Sequence, residues 1–458
     1  MERRLFMEDF KGLRRFLYNL STAGWNMIDS ILMTFYVAFL LPPKEEIAKG
    51  MIQFIPSRRY LGVITVLGAI MILGRIVDAV SDPLIASWSD RSKSPLGRRR
   101  TFLLIGALPL AVSVILIFFP PIPATSLKNG IYLAIVFGMY FFFFTVYVGP
   151  YLSLIPELGH TNKERIGLTT SQAYFSLIGA GIVMIGGPLL LGHFMKTESP
   201  VVSYRKMAVI FALTGALLAY FAVIVVDERR FSDAKPSTTP LFKSFKKTIS
   251  SRPFVIYLIS NIALWFLFNI VRSSAIHIGV TLLKGDEAFA SNMFSILIAS
   301  AAVCFPFVGM LARKYGKKLT MILGLLTFSV LSVIVSISGL TSVNAKIWGL
   351  TAIALMGFPV AILLVIPNVL LSDLCDLDFV VTGERREAMY FGVQGFFMKL
   401  NLGISTATLA LLYSAFGKDI SNPLGVRLAL VAGSAVALIG LAAMIKYPEK
   451  EIAGKLKR

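Results

Sequence analysis

The stretch "GRIVDAVSDPLIASWSD", residues 74–90, sets two carboxylates four residues apart in apolar surroundings. On a helix, Asp78 and Asp82 share one face. Two ionised carboxylates that close are costly in a low dielectric, and a bound proton or hard cation relieves the repulsion. Pro83 follows directly and lacks an N–H, so the carbonyl of Ala79 loses its helical donor and becomes a further candidate oxygen ligand. The alternative reading is a structural ion pair between Arg75 and Asp78, at i and i+3. The two readings are compatible, because Arg75 can also tune the site. The other charges inside apolar segments are Asp29, Arg272 and Lys399. Three acids and three bases imply mutual compensation, since a charge in hydrocarbon is expensive unless it pairs or faces water. One added cation would tip that balance.

The elements that must position these residues are membrane helices. The chain has 458 residues, 56% of them hydrophobic and 15% charged, with a mean hydropathy of +0.75. A soluble domain is nearer a quarter charged, so the composition is that of an integral membrane protein. A spanning helix needs about 20 mostly apolar residues. Twelve segments qualify: 18–42, 60–89, 101–120, 129–155, 166–193, 204–226, 253–282, 289–312, 318–338, 345–373, 386–415 and 425–446. An even number puts both termini on one side. Of the 45 Lys and Arg, 30 fall in the termini and the loops of that side and 12 in the opposite loops; the other three are Arg75, Arg272 and Lys399. That bias predicts cytoplasmic termini, and the expected location is a bacterial inner membrane. The first outer loop, with Lys44, Lys49, Arg58 and Arg59, is the exception.

The polar stretch 227–252 divides the chain into an N-terminal six-helix bundle (1–226), a cytoplasmic linker (227–252), a C-terminal six-helix bundle (253–446) and a tail (447–458). "SDRSKSPLGRRR" after the second segment has a weak echo in "ARKYGKKL" after the eighth. The expected fold is therefore an all-α membrane protein with twelve transmembrane helices in two six-helix halves, the repeat pattern of secondary transporters. The basic turn is expected to neutralise helix C-termini, bridge the halves on the cytoplasmic side and help stabilise one access state. No Walker loop, pore loop or repeated ring of charges is visible, which argues against an ATP-driven pump or a channel.

Other classes are excluded on composition. Cys304 and Cys375, with three scattered histidines, offer no disulfide framework or metal-ligand spacing. The net charge of +20 lies in short blocks between apolar segments and carries no nucleic-acid motif. The first apolar segment is long enough to span and lacks a small-residue cleavage site, so a retained helix is expected. Leu5, Phe6, Phe10, Leu13 and Leu17 are expected to form the apolar side of a short interfacial helix. No cofactor is expected, and the protein is expected to be a monomer.

The segment "RIVDAVSDPLIASWSDRSKSPLGRRR" resembles the glycoside–pentoside–hexuronide:cation symporters of the major facilitator superfamily, the family of melibiose permease. "PYLSLIPELGHTNKERIGLTTSQAYF" is similar to the family's helix four to five junction, and "SDLCDLDFVVTGERREAMYFGVQGFFMKL" to its helix ten to eleven junction. The resemblance implies the major facilitator fold and alternating access. It implies that Asp78 and Asp82 bind a coupling cation, Na⁺ with H⁺ or Li⁺ as alternatives, with Thr145 beside them. It gives Lys399 a coupling role, which Arg75 is expected to share, and places Gln394 at the substrate.

The sugar-reading positions depart from that family's pattern. Asn26 stands where a helix-one aspartate is expected, Val148 and Leu152 replace a helix-four aspartate and tryptophan, and Gln172 replaces an arginine. Sodium-dependent lysophosphatidylcholine transporters, similar in the paired aspartates and the lysine, also have an apolar residue at the Val148 position. The Phe run "YFFFFTVY" at 140–147 would suit an acyl chain, or form a lipid-facing or packing stripe. Asp29 and Arg272 occupy equivalent positions in the two halves, and either contact substrate or pair with each other; a guanidinium at Arg272 would suit a phosphate or carboxylate. The sequence thus predicts a cation-coupled symporter of either a glycoside or a lysophospholipid. A proton-coupled antiporter and a non-transporting membrane protein are the rivals.

Overall fold

A computed structural model describes residues 10–456, apart from 43, 57–58, 61–63, 232–236, 238, 286 and 341–343. Leu5 and Phe6 of the expected interfacial helix lie outside the described residues. Phe10 is buried edge-on against Tyr18, while Leu13 is exposed.

The twelve long helices are α1 (Gly12–Leu40), α2 (Val66–Arg91), α3 (Arg100–Ile117), α4 (Leu127–Ser153), α5 (Asn162–Phe194), α6 (Pro200–Val225), α7 (Arg252–Ser273), α8 (Glu287–Tyr315), α9 (Lys317–Ser336), α10 (Gly357–Thr382), α11 (Glu387–Phe416) and α12 (Leu424–Ile445). Eleven helical segments among the described residues are long and apolar enough to cross a membrane. α2 is the long helix missing from that set. It has 26 residues and carries Arg75, Asp78, Asp82, Asp90 and Arg91, so its charge offsets its length.

Helix ends follow local chemistry. The Thr65 hydroxyl accepts from the Gly68 amide and fixes the start of α2. Residues 59–60 pair with 64–65 as a two-strand ladder, which explains why α2 begins at Val66 rather than at residue 60. Ser126 and Ser199 cap α4 and α6 in the same way. α7 ends at Ser273, and the apolar segment continues through a short helix, Ala275–His277, into a π-helical turn, Ile278–Leu282. α10 is preceded by Ala345–Leu355 and runs to Thr382, nine residues beyond the expected end.

Two compact units emerge, each with its own core. Unit 1 contains residues 1–158, 174–241 and 387–392; unit 2 contains 159–173, 242–386 and 393–458. In unit 1, α1 meets α6 through small residues. A Cβ on Gly24 would lie 2.5 Å from the Gly215 carbonyl oxygen, so only glycine permits this approach, and the Ala222 amide donates to Ser21 Oγ at 2.8 Å. In unit 2, α7 meets α12 likewise: Gly440 sits against Ala263, and Ser260 Oγ donates to the Gly440 carbonyl at 2.8 Å. The repeat suggested by the basic turns thus recurs in the packing.

Candidate functional site

In unit 1, α2 and α4 bring four oxygen-bearing side chains together. Asp78 and Asp82 are buried, as are Ser81 and Thr145. Thr145 Oγ1 lies 3.0 Å from Asp82 Oδ1 and 3.4 Å from Asp78 Oδ1. Ser81 Oγ lies 3.2 Å from Thr145 Oγ1 and 3.0 Å from the Asp78 carbonyl oxygen. Arg75 Nη1 donates to the other oxygen of Asp78 at 3.3 Å. The Arg75 guanidinium also lies over the Phe141 ring, 4.9 Å from its centroid, and its side chain stays 39% exposed. The ion pair and the carboxylate cluster therefore coexist. Ser81 gave no signal in the sequence beyond its place between the two aspartates. All the clustered donors are hard oxygens, which fits an alkali cation or a proton and gives a soft metal no ligand. Two carboxylates, one guanidinium and two hydroxyls meet here.

A second polar row lies on α1, also in unit 1. Thr22, Trp25, Asn26 and Asp29 recur at helical spacing and share a face. Thr22 Oγ1 is 2.8 Å from the Tyr151 hydroxyl, which also lies 2.6 Å from the Tyr18 carbonyl oxygen. Asn26 Nδ2 donates to the Thr22 carbonyl at 2.8 Å and to Ser176 Oγ at 3.1 Å. Asp29 Oδ1 accepts from the Tyr140 hydroxyl at 2.5 Å. Sequence reasoning missed Tyr140 and Trp25, because a partner on another helix depends on how the helices are rotated. Val148 is buried and Leu152 half-buried on α4. In the Phe run, Phe141 lies under Arg75, Phe142 meets Phe143 edge-on, and Phe144 packs on Trp25 and Tyr140.

Unit 2 holds a neutral row. The Tyr257 hydroxyl donates to Gln394 Oε1 at 2.8 Å, and Asn261 Nδ2 lies 3.4 Å from that hydroxyl. Asn401 Nδ2 donates to the Ile262 carbonyl. Gln172 is buried, and its Nε2 has no hydrogen-bond acceptor among the described residues. Arg272 is exposed in the last turn of α7, and Lys399 is half-buried on α11. Asp29 and Arg272 belong to different units, and the hydroxyl that meets Asp29 is that of Tyr140.

The basic turn after α2 forms a dense charge cluster within unit 1. Arg99 donates to Asp90 at 2.6 Å, to Glu387 at 3.2 Å, to Glu157 at 3.3 Å and to Ser89 Oγ at 2.8 Å. Arg98 pairs with Glu157 at 2.8 Å and with Glu387 at 3.2 Å. The Asp90 carboxylate accepts the amides of Ala388 and Met389 and so caps α11. Glu228 accepts the amides of Arg98, Arg99 and Arg100. Arg100 Nε meets the Val223 carbonyl at the end of α6, the kind of C-terminal contact expected of this turn. Burial disfavours the Arg99 cation, but Asp90, Glu157 and Glu387 outweigh it and hold its pKa above the ordinary arginine value. Burial and then Glu157 push Glu228 above the ordinary glutamate range, against the Arg100 amide and the cations of Arg99 and Arg98.

Unit 2 has a charge cluster of its own. Arg165, at the start of α5, pairs with Asp373 at 3.2 Å and Asp376 at 2.5 Å. Lys317 pairs with Asp373 and donates to Asn162. Glu449 accepts the amides of Lys317 and Lys318, as Glu228 does at the start of α3.

Comparison with known proteins agrees with this architecture. Residues 17–448 match the family described as MFS/sugar transport protein. The chain is 24% identical over 407 residues to the isoprimeverose transporter of Lactiplantibacillus pentosus, covering 88% of this chain and 80% of the relative. It is 27% identical over 349 residues to the uncharacterized symporter YjmB of Bacillus subtilis, covering 74% and 72%. It is 23% identical over 347 residues to the putative glycoside/cation symporter YagG of Escherichia coli, covering 75% and 73%. Among solved structures it is similar in fold to the fucose:proton symporter FucP of E. coli in its N162A form, with a TM-score of 0.64 at 15% identity, covering 94% of this chain and 97% of that one. The family match spans nearly all of the chain and the relatives are symporters and sugar carriers: the chain belongs to the glycoside–pentoside–hexuronide:cation symporter family of the major facilitator superfamily and is a secondary transporter, not an enzyme.

Proposed function

We propose that this protein is a cation-coupled symporter of a glycoside, working by alternating access with Na⁺ as the coupling ion. The observation that carries the cation assignment is the pair of buried carboxylates sharing one threonine hydroxyl. An ion held between Asp78, Asp82 and Thr145 would relieve the repulsion between the two carboxylates. The same carboxylates can take H⁺ or Li⁺, and competition among the three ions ranks them. Lys399 is assigned the coupling role on family resemblance.

The glycoside reading draws support from the names of the relatives, which include an isoprimeverose transporter and a glycoside/cation symporter. Neutral hydrogen-bonding residues such as Asn26 and Gln394 suit sugar hydroxyls, because a buried hydroxyl without a partner costs free energy. A lysolipid would need apolar surface left over for its chain, whereas Phe141 and Phe144 already pack against Arg75, Trp25 and Tyr140. The basic bias supports cytoplasmic termini, and the bacterial relatives support a bacterial cell membrane.

The test is uptake by proteoliposomes of isoprimeverose, raffinose, lactose and lysophosphatidylcholine, each with an inward Na⁺, Li⁺ or H⁺ gradient. Na⁺-driven uptake of a glycoside is expected. Uptake of lysophosphatidylcholine alone, or glycoside uptake indifferent to every cation gradient, would overturn the reading.

A further inference from the structure

We propose that a groove between α6 and the end of α3, in unit 1, is a site for one anionic phospholipid: the Arg205 guanidinium takes the headgroup phosphate, and the exposed aliphatic stripe of α6 carries an acyl chain. The inference is independent of the transported substrate and of the coupling ion.

α3 and α6 run antiparallel and are tied at both ends. At the basic turn Arg100 meets the Val223 carbonyl, and at the opposite end Arg205 Nε donates to the Phe118 carbonyl at 3.0 Å. Beside this second contact lies a groove of about 370 Å³, lined by Phe119, Val202, Arg205, Lys206, Val209 and Ile210. Arg205 is in the second turn of α6, about 8 Å along the axis from Pro200. At that depth a long basic side chain can keep its stem among apolar groups and its head at the level of lipid headgroups. Farther along α6, Ile210, Leu213 and Leu217 are exposed and recur at helical spacing. Lipid tails are as apolar as leucine, so in a spanning helix such a stripe is a bed for acyl chains.

Charge selects the headgroup. The Arg205 guanidinium lies over the Phe119 ring, 4.8 Å from its centroid, and its Nε is used by Phe118. Among the described residues no carboxylate pairs with it, and its Nη donors meet no acceptor. Lys206 differs: it pairs with Glu198 and lies over the Phe194 ring. Lys206 and Glu198 balance each other, which leaves Arg205 as the unmatched charge of the rim. A cation beside hydrocarbon is expensive without a partner, and a planar guanidinium matches two phosphate oxygens at once. A zwitterionic lipid brings a cation of its own to this rim, whereas an anionic lipid brings only the charge that Arg205 lacks.

The experiment uses the purified full chain in detergent. Native mass spectrometry follows lipid binding as phosphatidylglycerol or phosphatidylcholine with the same acyl chains is added. Wild type should bind phosphatidylglycerol about fivefold more tightly, the scale of one basic residue meeting anionic lipid. Arg205→Gln should lose that preference and Arg205→Lys should keep part of it. Phosphatidylglycerol with a photoreactive acyl chain should label residues 202–210 of wild type, and unlabelled phosphatidylglycerol should compete better than phosphatidylcholine. This labelling needs no variant, so it decides the matter even if Arg205→Gln fails to fold. Equal binding of the two lipids by wild type, an undiminished preference in Arg205→Gln, or labelling confined to other helices would overturn the site. Labelling of 202–210 that both lipids compete equally would reveal an unselective lipid-facing surface and would overturn it as well.

Discussion

Along α2 the protein holds charge in two contrasting ways. Midway, Asp78 and Asp82 meet the Arg75 guanidinium and the hydroxyls of Ser81 and Thr145. At its end, Asp90, Glu157 and Glu387 surround Arg98 and Arg99, while Asp90 and Glu228 also engage five backbone amides. Both regions are buried. The difference lies in what supplies the compensation. At the helix end fixed protein groups supply it, so the cluster is a structural anchor. In the middle a partly exposed guanidinium and two hydroxyls face the carboxylates, the arrangement on which the proposed ion exchange rests.

Substitutions that break this contrast should act on different observables. Arg99→Met should have the largest effect on folding. It removes the one named cation that touches all three buried carboxylates and leaves Arg98 to Glu157 and Glu387 alone, and breaking a buried ion pair typically costs about 3–5 kcal/mol. Thermal unfolding of purified protein should show the loss, and a wild-type melting temperature would contradict the structural role. Lys399→Ala should instead abolish Na⁺-driven accumulation while the melting temperature stays close to wild type; concentrative uptake at the wild-type level would remove its coupling role.

Finer changes sharpen the comparison. Thr145→Ala deletes the hydroxyl shared by both aspartates and should weaken Na⁺ binding about tenfold, about the worth of one hydrogen bond to a charged group, with Thr145→Ser close to wild type. Equal Na⁺ affinity in all three proteins would remove Thr145 from the site. Glu228 should give the smallest effect. Its folded pKa is raised above the ordinary value, so its contribution to stability is fully present below its unfolded pKa near 4.5 and is lost as pH rises through the folded value. Glu228→Gln should flatten that part of the stability profile, and an unchanged slope would contradict the assignment.

How much of this was legible in the sequence varies with the physics of each feature. Asp78 and Asp82 stood out because their contact is local: i and i+4 on a helix need no tertiary information. The twelve helices were legible because apolar length is a one-dimensional signal, yet α2 starts six residues late because residues 59–60 pair with 64–65 in a short ladder. Thr145 was reachable through family resemblance alone. Ser81, Trp25 and Tyr140 were missed, since nothing in their spacing shows which neighbour they face. The cap on α11 was also hidden: the amides of Ala388 and Met389 carry no side-chain signature, and their acceptor, Asp90, is about 300 residues away in sequence. The basic turn was read as a neutraliser of helix C-termini, and Arg100 fits that description. Arg98 and Arg99 meet carboxylates instead, because folding brings Glu157 and Glu387 to them.

The central claim is that Asp78 and Asp82 hold an exchangeable monovalent cation. Calorimetric titration of Na⁺ into purified wild type and into Asp78→Asn/Asp82→Asn tests it most directly. The account predicts one saturable Na⁺ per wild-type chain, displaced by Li⁺, and none in the double variant, with both proteins unfolding at similar temperatures. Saturable binding of equal affinity in the double variant would contradict it.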